Sequence, residues 1–243
     1  MANSYFRFKQ FTVHQELAAM KVTTDGCLFG AWVAAQLERE NLSARSILDI
    51  GAGTGLLSLM LAQKSNANID AVEIDEDASM QTKHNFTQSA WRDRLKIIRT
   101  DIHDFNSPYP YDVIVSNPPF YENDLTGTDS KKNIAHHDAG LLLHDLIKII
   151  SNKLVAQNGI FFLLLPDKRL KETLKSIGQH QLQTHRICRV RQSVDHDFFR
   201  VLIQGGNGDH EVTPLTEELS IRNGNNEYTE EFIALLRDYY LYL

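Results

Sequence analysis

From residue 46 onward the chain alternates short apolar runs with amphipathic stretches. The runs at 46–50, 69–74, 95–100, 111–116 and 159–165 are β-branched and aliphatic, and read as buried strands. Between them, 56–63, 76–89 and 141–156 carry apolar residues at helical spacing. Such alternation predicts a parallel sheet with helices on both faces, since each crossover returns the chain to the same edge. After Pro166 a basic helix at 168–177 leads to two runs, 183–192 and 199–204, close enough in sequence to pair antiparallel. The last segment reads as a short strand, a polar turn and an amphipathic helix capped near Thr229. Ahead of the sheet, Thr24-Asp25-Gly26 reads as a turn, and Leu28, Phe29, Trp32 and Val33 follow helical spacing up to Glu40.

Length and composition narrow the class. At 243 residues, 42% hydrophobic and 23% charged, the chain suits one domain, 1–243, with an N-terminal lid segment (1–45), a catalytic sheet (46–206) and a C-terminal strand and helix (207–243). Cys27 and Cys188 are too few and too far apart for a disulfide framework or a zinc site, and read as buried small hydrophobes in a reducing compartment. The first residues lack an apolar leader, and no segment has the length of a membrane span, so a soluble cytoplasmic protein is expected. A net charge of -6 argues against indiscriminate coating of a polyanion, which would have to be met by a local basic patch.

The stretch S-I-L-D-I-G-A-G-T-G-L-L-S, residues 46–58, passes from strand to helix through Gly51, Gly53 and Gly55. Glycines there admit positive φ and let a ligand touch backbone beside a helix N-terminus. A dinucleotide fingerprint beginning at Gly51 would need its third glycine at 56, where Leu56 stands. The form D-x-G-x-G-x-G, with Asp49 leading, resembles instead the first motif of the S-adenosylmethionine-dependent methyltransferases. Glu73 ends the second strand of the sheet, about twenty residues on, where a carboxylate can accept both hydroxyls of a ribose. Asp101 follows the third and can accept from an adenine amino group.

Asn117-Pro118-Pro119-Phe120 closes the fourth strand. Two prolines stop the strand and fix its carbonyls. The amine of adenine is a poor nucleophile because its lone pair is delocalised into the ring. The Asn117 side-chain oxygen and the Pro118 carbonyl can hold its hydrogens and aim that lone pair, while Phe120 stacks on the base. Tyr121 adds stacking or packs.

At these residues the chain resembles the amino-methyltransferases of planar amines, among them adenine-N6 and cytosine-N4 enzymes of DNA and RNA and the glutamine methyltransferases of release factors. The flanks narrow this. F-K-Q-F-T-V-H-Q-E-L-A-A-M-K-V-T-T-D-G-C-L-F-G-A-W before the loop and I-R-N-G-N-N-E-Y-T-E-E-F-I-A-L-L-R-D-Y-Y at the end are similar to the bacterial family that N6-methylates an adenine beside the anticodon of a valine tRNA. With about forty-five residues before the first sheet strand and under forty after the last, neither the target-recognition region of a DNA enzyme nor the helical domain of a release-factor enzyme is expected.

The resemblance implies a seven-stranded, mostly parallel, Rossmann-like methyltransferase sheet with an antiparallel terminal strand, and S-adenosylmethionine as cofactor. It also implies a tRNA substrate; from the residues themselves a monomer is expected, with no metal site, no membrane contact and no obligatory protein partner. Its cofactor contacts would be Lys21, Thr23, Asp25, Asp49, Gly51, Gly53, Gly55, Glu73, Asp101 and Asn117, with Thr24 beside them. Its target-base contacts would be Asn117, Pro118, Pro119 and Phe120. For the RNA, candidate basic groups are His185, Arg189 and Arg191 on one strand face, Lys168, Lys171 and Lys175 on one helix face, and Lys131, Lys132, His136 and His137 after the catalytic loop. Rival readings are an rRNA or protein-glutamine methyltransferase and a nucleoside-binding module or dehydrogenase.

Overall fold

The computed structural model describes residues 3–42, 44–118, 141–155, 157–208 and 212–243. The chain begins with an antiparallel hairpin, β1 (Tyr5–Arg7) and β2 (Thr12–His14), followed by α1 (Thr24–Arg39). Then come β3 (Ser46–Ile50), α2 (Leu56–Lys64), β4 (Asn68–Glu73), α3 (Glu76–Gln88), β5 (Leu95–Arg99) and β6 (Val113–Ser116). After these follow α4 (Leu143–Lys153), β7 (Ile160–Pro166), α5 (Leu170–Gln179), β8 (Leu182–Ser193), β9 (Phe198–Asn207), β10 (Leu215–Arg222) and α6 (Glu230–Leu236).

The main sheet has eight strands in the order β10-β8-β9-β7-β6-β3-β4-β5. Strands β3 to β7 run parallel to one another, whereas β9 is antiparallel to both β7 and β8. Seven strands were expected. The eighth, β10, adds parallel to β8 because Leu219 and Ile221 bury against the sheet, while Glu217 meets Arg186 at 2.8 Å and Glu218 meets Arg191 at 3.8 Å.

Period-two alternation along the strands feeds two apolar layers. Ile47, Val113, Val115, Phe162 and Leu164 face a layer holding α1, α2, α6 and the hairpin, while Leu48, Ile50, Ile114, Phe161 and Leu163 face one holding α4 and α5. Each fully buried aliphatic side chain contributes about 1.5–3 kcal/mol, so the sheet position is strongly fixed.

The triplet read as a turn is the first turn of α1. Thr23 caps it by accepting from the Gly26 N–H at 3.3 Å, and Asp25 in that turn complements the helix dipole. The helix then sinks into the core, with Trp32 edge-on to Phe162 at 5.8 Å between centroids. Cys27 and Cys188 are buried, which pushes both thiols up to about 12. Among the described residues no helix is long and apolar enough to cross a membrane.

Candidate active site

Because β3 to β6 are parallel neighbours, their carboxyl ends line one edge. Along it stand, strand by strand, Asp101 after β5, Glu73 at the end of β4, Gly51 after β3 and Asn117 after β6. Ligands of open α/β sheets gather at this edge. Ser116 Oγ donates to the Ile50 carbonyl at 2.8 Å, holding β6 against β3 at the point where both chains leave the sheet.

The glycine loop turns left-handed three times, at Gly51 (φ 74°), Gly53 (φ 57°) and Gly55 (φ 78°), a conformation that costs other residues about 1–2 kcal/mol each. Around Gly51 and Gly53 the space a Cβ would take is open, so ligand atoms can come up to the backbone there. Gly55 is needed for another reason: a Cβ there would sit 2.7 Å from Phe86 on α3. No side chain caps α2 at Gly55.

Side chains distant in sequence hold the loop. Glu73 Oε2 accepts from the Gly53 N–H at 2.8 Å and Oε1 from the Asp75 N–H at 3.0 Å. Thr82 donates to the Gly53 carbonyl at 2.6 Å. Asn85 donates to the Thr54 carbonyl at 2.9 Å and exchanges bonds with the His14 backbone, tying loop, α3 and β2 together. Nothing in the sequence marked Asn85, a buried polar residue on an amphipathic helix.

Asp49 lies beneath the loop, with no exposed surface. Ser58 donates to its Oδ2 at 2.7 Å, whereas Oδ1 has no hydrogen-bond partner among the described residues. Burial raises its pKa to about 6. Asp101 is in a different setting: half-exposed, it accepts from the His103 backbone N–H at 2.8 Å and faces the His103 ring at 2.7 Å. That backbone bond, aided by the ring, holds its carboxyl below the usual range.

The start of α1 closes the other flank. A Cβ on Gly26 would lie 3.5 Å from Leu56 and 4.0 Å from Asn117 Nδ2, which sets the Thr23 to Gly26 turn beside both the glycine loop and Asn117. Asp25 there pairs with Arg200 of β9 at 2.7 Å, a contact that spacing could not have revealed. Lys21 instead donates to the Gln15 carbonyl at 2.9 Å.

Pro118 is buried behind Asn117. Pro119, Phe120, Tyr121, Lys131, Lys132, His136 and His137 lie outside the described residues. Of the strand cluster, Arg189 is held by both oxygens of Asp167 at 2.7 Å and packs over Phe198, while Arg191 bonds Ser220 at 2.8 Å. His185 is half-buried, and that burial lowers its pKa. No group of three or more metal-ligating side chains occurs among the described residues.

Comparison with known proteins places the chain in a family. The Methyltransferase small domain family matches residues 31–158. A curated Bacteroides thetaiotaomicron protein named tRNA1(Val) (adenine(37)-N6)-methyltransferase is 38% identical over 100% of both chains. One of the same name from Christiangramia forsetii is 41% identical, again over 100% of each. The chain belongs to the tRNA1(Val) (adenine(37)-N6)-methyltransferase family. Among solved structures, a predicted O-methyltransferase from Agrobacterium tumefaciens superposes with a TM-score of 0.68 at 17% identity, covering 88% of this chain and 96% of that one. Magnesium protoporphyrin IX methyltransferase from Synechocystis, with S-adenosylmethionine bound, gives 0.56 at 14% identity, covering 80% and 89%. These two likenesses show that the chain has the sheet architecture of those two proteins.

Proposed function

We propose that this chain transfers a methyl group from S-adenosylmethionine to N6 of an adenine in the anticodon loop of a valine tRNA, next to the anticodon. The observation that carries the reading is the position of Asn117, one strand from the glycine turn and against the first turn of α1.

The residues present fit the cofactor. Gly51 and Gly53 leave open space at backbone that a methionine tail can follow, and Asp49 beneath them offers a buried carboxylate with one oxygen still without a donor. Asp49 attracts the ammonium of the tail through the loop, in surroundings of low dielectric. Glu73 takes the ribose hydroxyls and Asp101 the adenine amino group. Thr23 and Asp25 border the methionine end, with Lys21 further out on the same segment. When bound, S-adenosylmethionine supplies a methyl carried on a positively charged sulfur, already activated for displacement.

The chain's own task is alignment. Asn117 Oδ1 and the Pro118 carbonyl accept the two hydrogens of the target amine and turn its lone pair toward the cofactor, with Pro119 fixing the turn and Phe120 stacking on the base. Orientation of this kind accounts for a large rate factor without a strong base, and the surplus proton leaves to water after transfer. The target base must leave its stack to enter, at a cost of a few kcal/mol. The same reading carries a cytoplasmic location, where the tRNA is used.

The test is methyl transfer from labelled S-adenosylmethionine to bulk tRNA from a strain lacking the gene, then nucleoside digestion and mass spectrometry. The expected result is a new N6-methyladenosine peak. Label that survives RNase and stays with protein would overturn the reading in favour of a protein-glutamine substrate.

A further inference from the structure

The segment between the hairpin and α1, residues 15–23, belongs to no helix or strand, yet it joins two borders of the site. At its start it is tied to the glycine loop through α3. Asn85 donates both to the His14 carbonyl at 2.8 Å and to the Thr54 carbonyl at 2.9 Å. The Leu17 N–H donates to Gln81 at 3.1 Å, and Gln81 adjoins the Thr82 that holds Gly53. At its end, Thr23 caps α1 beside Leu56 and Asn117.

Gln15 fastens the two ends of this segment to each other. It is only 5% exposed, and each of its polar atoms has a partner. Its backbone N–H continues the hairpin by donating to the Ser4 carbonyl at 2.8 Å, and its side-chain Nε2 donates to the Asn3 carbonyl at 2.9 Å. Across the loop, Oε1 accepts from the Val22 N–H at 2.8 Å, and the Gln15 carbonyl accepts from Lys21 Nζ at 2.9 Å. One amide therefore holds the hairpin on one arm and the residue before the Thr23 cap on the other. Extended, the chain from Gln15 to Val22 could reach about 25 Å, so its length does not set the distance between its ends. The amide does. Burial makes the bond exacting, because an arm left unpaired would lose its water without gaining a partner.

We propose that Gln15 is a positioning residue for the cofactor: by closing the 15–22 loop it sets the Thr23 to Gly26 turn at its distance from the glycine loop. The inference rests on the reading that Thr23 and Asp25 border the methionine end of S-adenosylmethionine, and it names the side chain that keeps that border in place. Gln15 touches neither cofactor nor target base in this account. It acts through Val22 and the first turn of α1.

The experiment compares Gln15→Met with Gln204→Met. Gln204 is likewise a buried amide, on β9, and donates at 2.9 Å to Glu40 at the opposite end of α1, so its loss should lower stability without reaching the cofactor. Calorimetry should give an S-adenosylmethionine dissociation constant about tenfold higher for Gln15→Met, the scale of one lost positioning bond, and unchanged for Gln204→Met. Turnover at saturating cofactor and tRNA should fall by no more than a few fold in Gln15→Met. A folded Gln15→Met with wild-type affinity, or an equal loss of affinity in Gln204→Met, would overturn the proposal. Hydrogen exchange on the wild-type chain without cofactor gives a second measurement that needs no variant to fold. The Val22 amide should be protected about a hundredfold although it lies outside regular structure. A wild-type chain that binds S-adenosylmethionine but leaves the Val22 amide unprotected would overturn the role of Gln15 alone. One that protects Val22 and binds no S-adenosylmethionine would overturn the cofactor reading and the proposal with it.

Discussion

The two halves of the sheet are held together by different means. Around the glycine loop, carboxylates grip backbone nearby in the fold: Glu73 takes the N–H groups of Gly53 and Asp75, and Asp101 that of His103. On the side of β7 to β10, carboxylates grip guanidinium groups instead, Asp167 with Arg189, Glu217 with Arg186 and Asp25 with Arg200. The first design fixes the course of the main chain, which a small cofactor must follow atom by atom. The second fixes how whole elements sit against each other, which suits a large substrate resting on several of them at once.

Removing Asn117 tests where the halves meet. Asn117→Ala should lower the methyl-transfer rate by about 10³-fold, the scale of a lost orienting contact, with S-adenosylmethionine affinity within a few fold of wild type by calorimetry. A large loss of cofactor affinity would instead assign Asn117 to the cofactor half. Glu73→Ala should do the reverse: it removes hydrogen bonds to a charged group worth about 1.5–3 kcal/mol each, so the cofactor dissociation constant should rise by about 10²-fold. Isothermal titration against the wild type checks this.

Asp49 gives the cofactor half a pH dependence. Its folded pKa, raised to about 6, lies above the unfolded value, so the protein takes up a proton on folding between the two. Folding stability from this group is therefore greatest at low pH and declines as pH rises through about 6, whereas attraction for the cofactor ammonium is present only above it. Cofactor affinity should fall as pH drops below about 6, approaching tenfold per unit. Asp49→Asn, which keeps an acceptor for Ser58, should abolish that dependence in titrations from pH 5 to 8.

The smallest effect belongs to the half built from charge pairs. Arg200→Gln should cost about 1 kcal/mol of stability, as expected for a partly exposed pair, and should raise the cofactor dissociation constant and lower the turnover rate a few fold each by loosening α1 beside Asn117. Arg200→Lys should restore most of both. A double-mutant cycle with Asp25→Asn measures the coupling, and additive effects would show that the pair does not hold the helix start.

The same contrast explains what could be read from the sequence. The glycine turns, Glu73, Asp101 and Asn117 were legible because each stands at a strand end whose apolar run announces it. The α1 start was misread as a turn because Asp-Gly suits turns, and the Thr23 cap that makes it helical is visible only with the Gly26 N–H in place. Arg200, Asp167 and Asn85 carried no signal at all: each acts on a residue 175, 22 or 31 positions away, and such partners are chosen by the packing of the sheet, not by spacing along the chain. The eighth strand was legible as a strand, though not as a neighbour of β8, because register depends on the facing charges of Arg186 and Glu217.

Glu73 has a consequence for cofactor binding. Both its oxygens hold backbone N–H groups of the chain itself, so the turn at Gly53 is spanned by bonds that need no partner from outside the fold. A turn built in this way is a template for a cofactor and not a shape the cofactor has to mould.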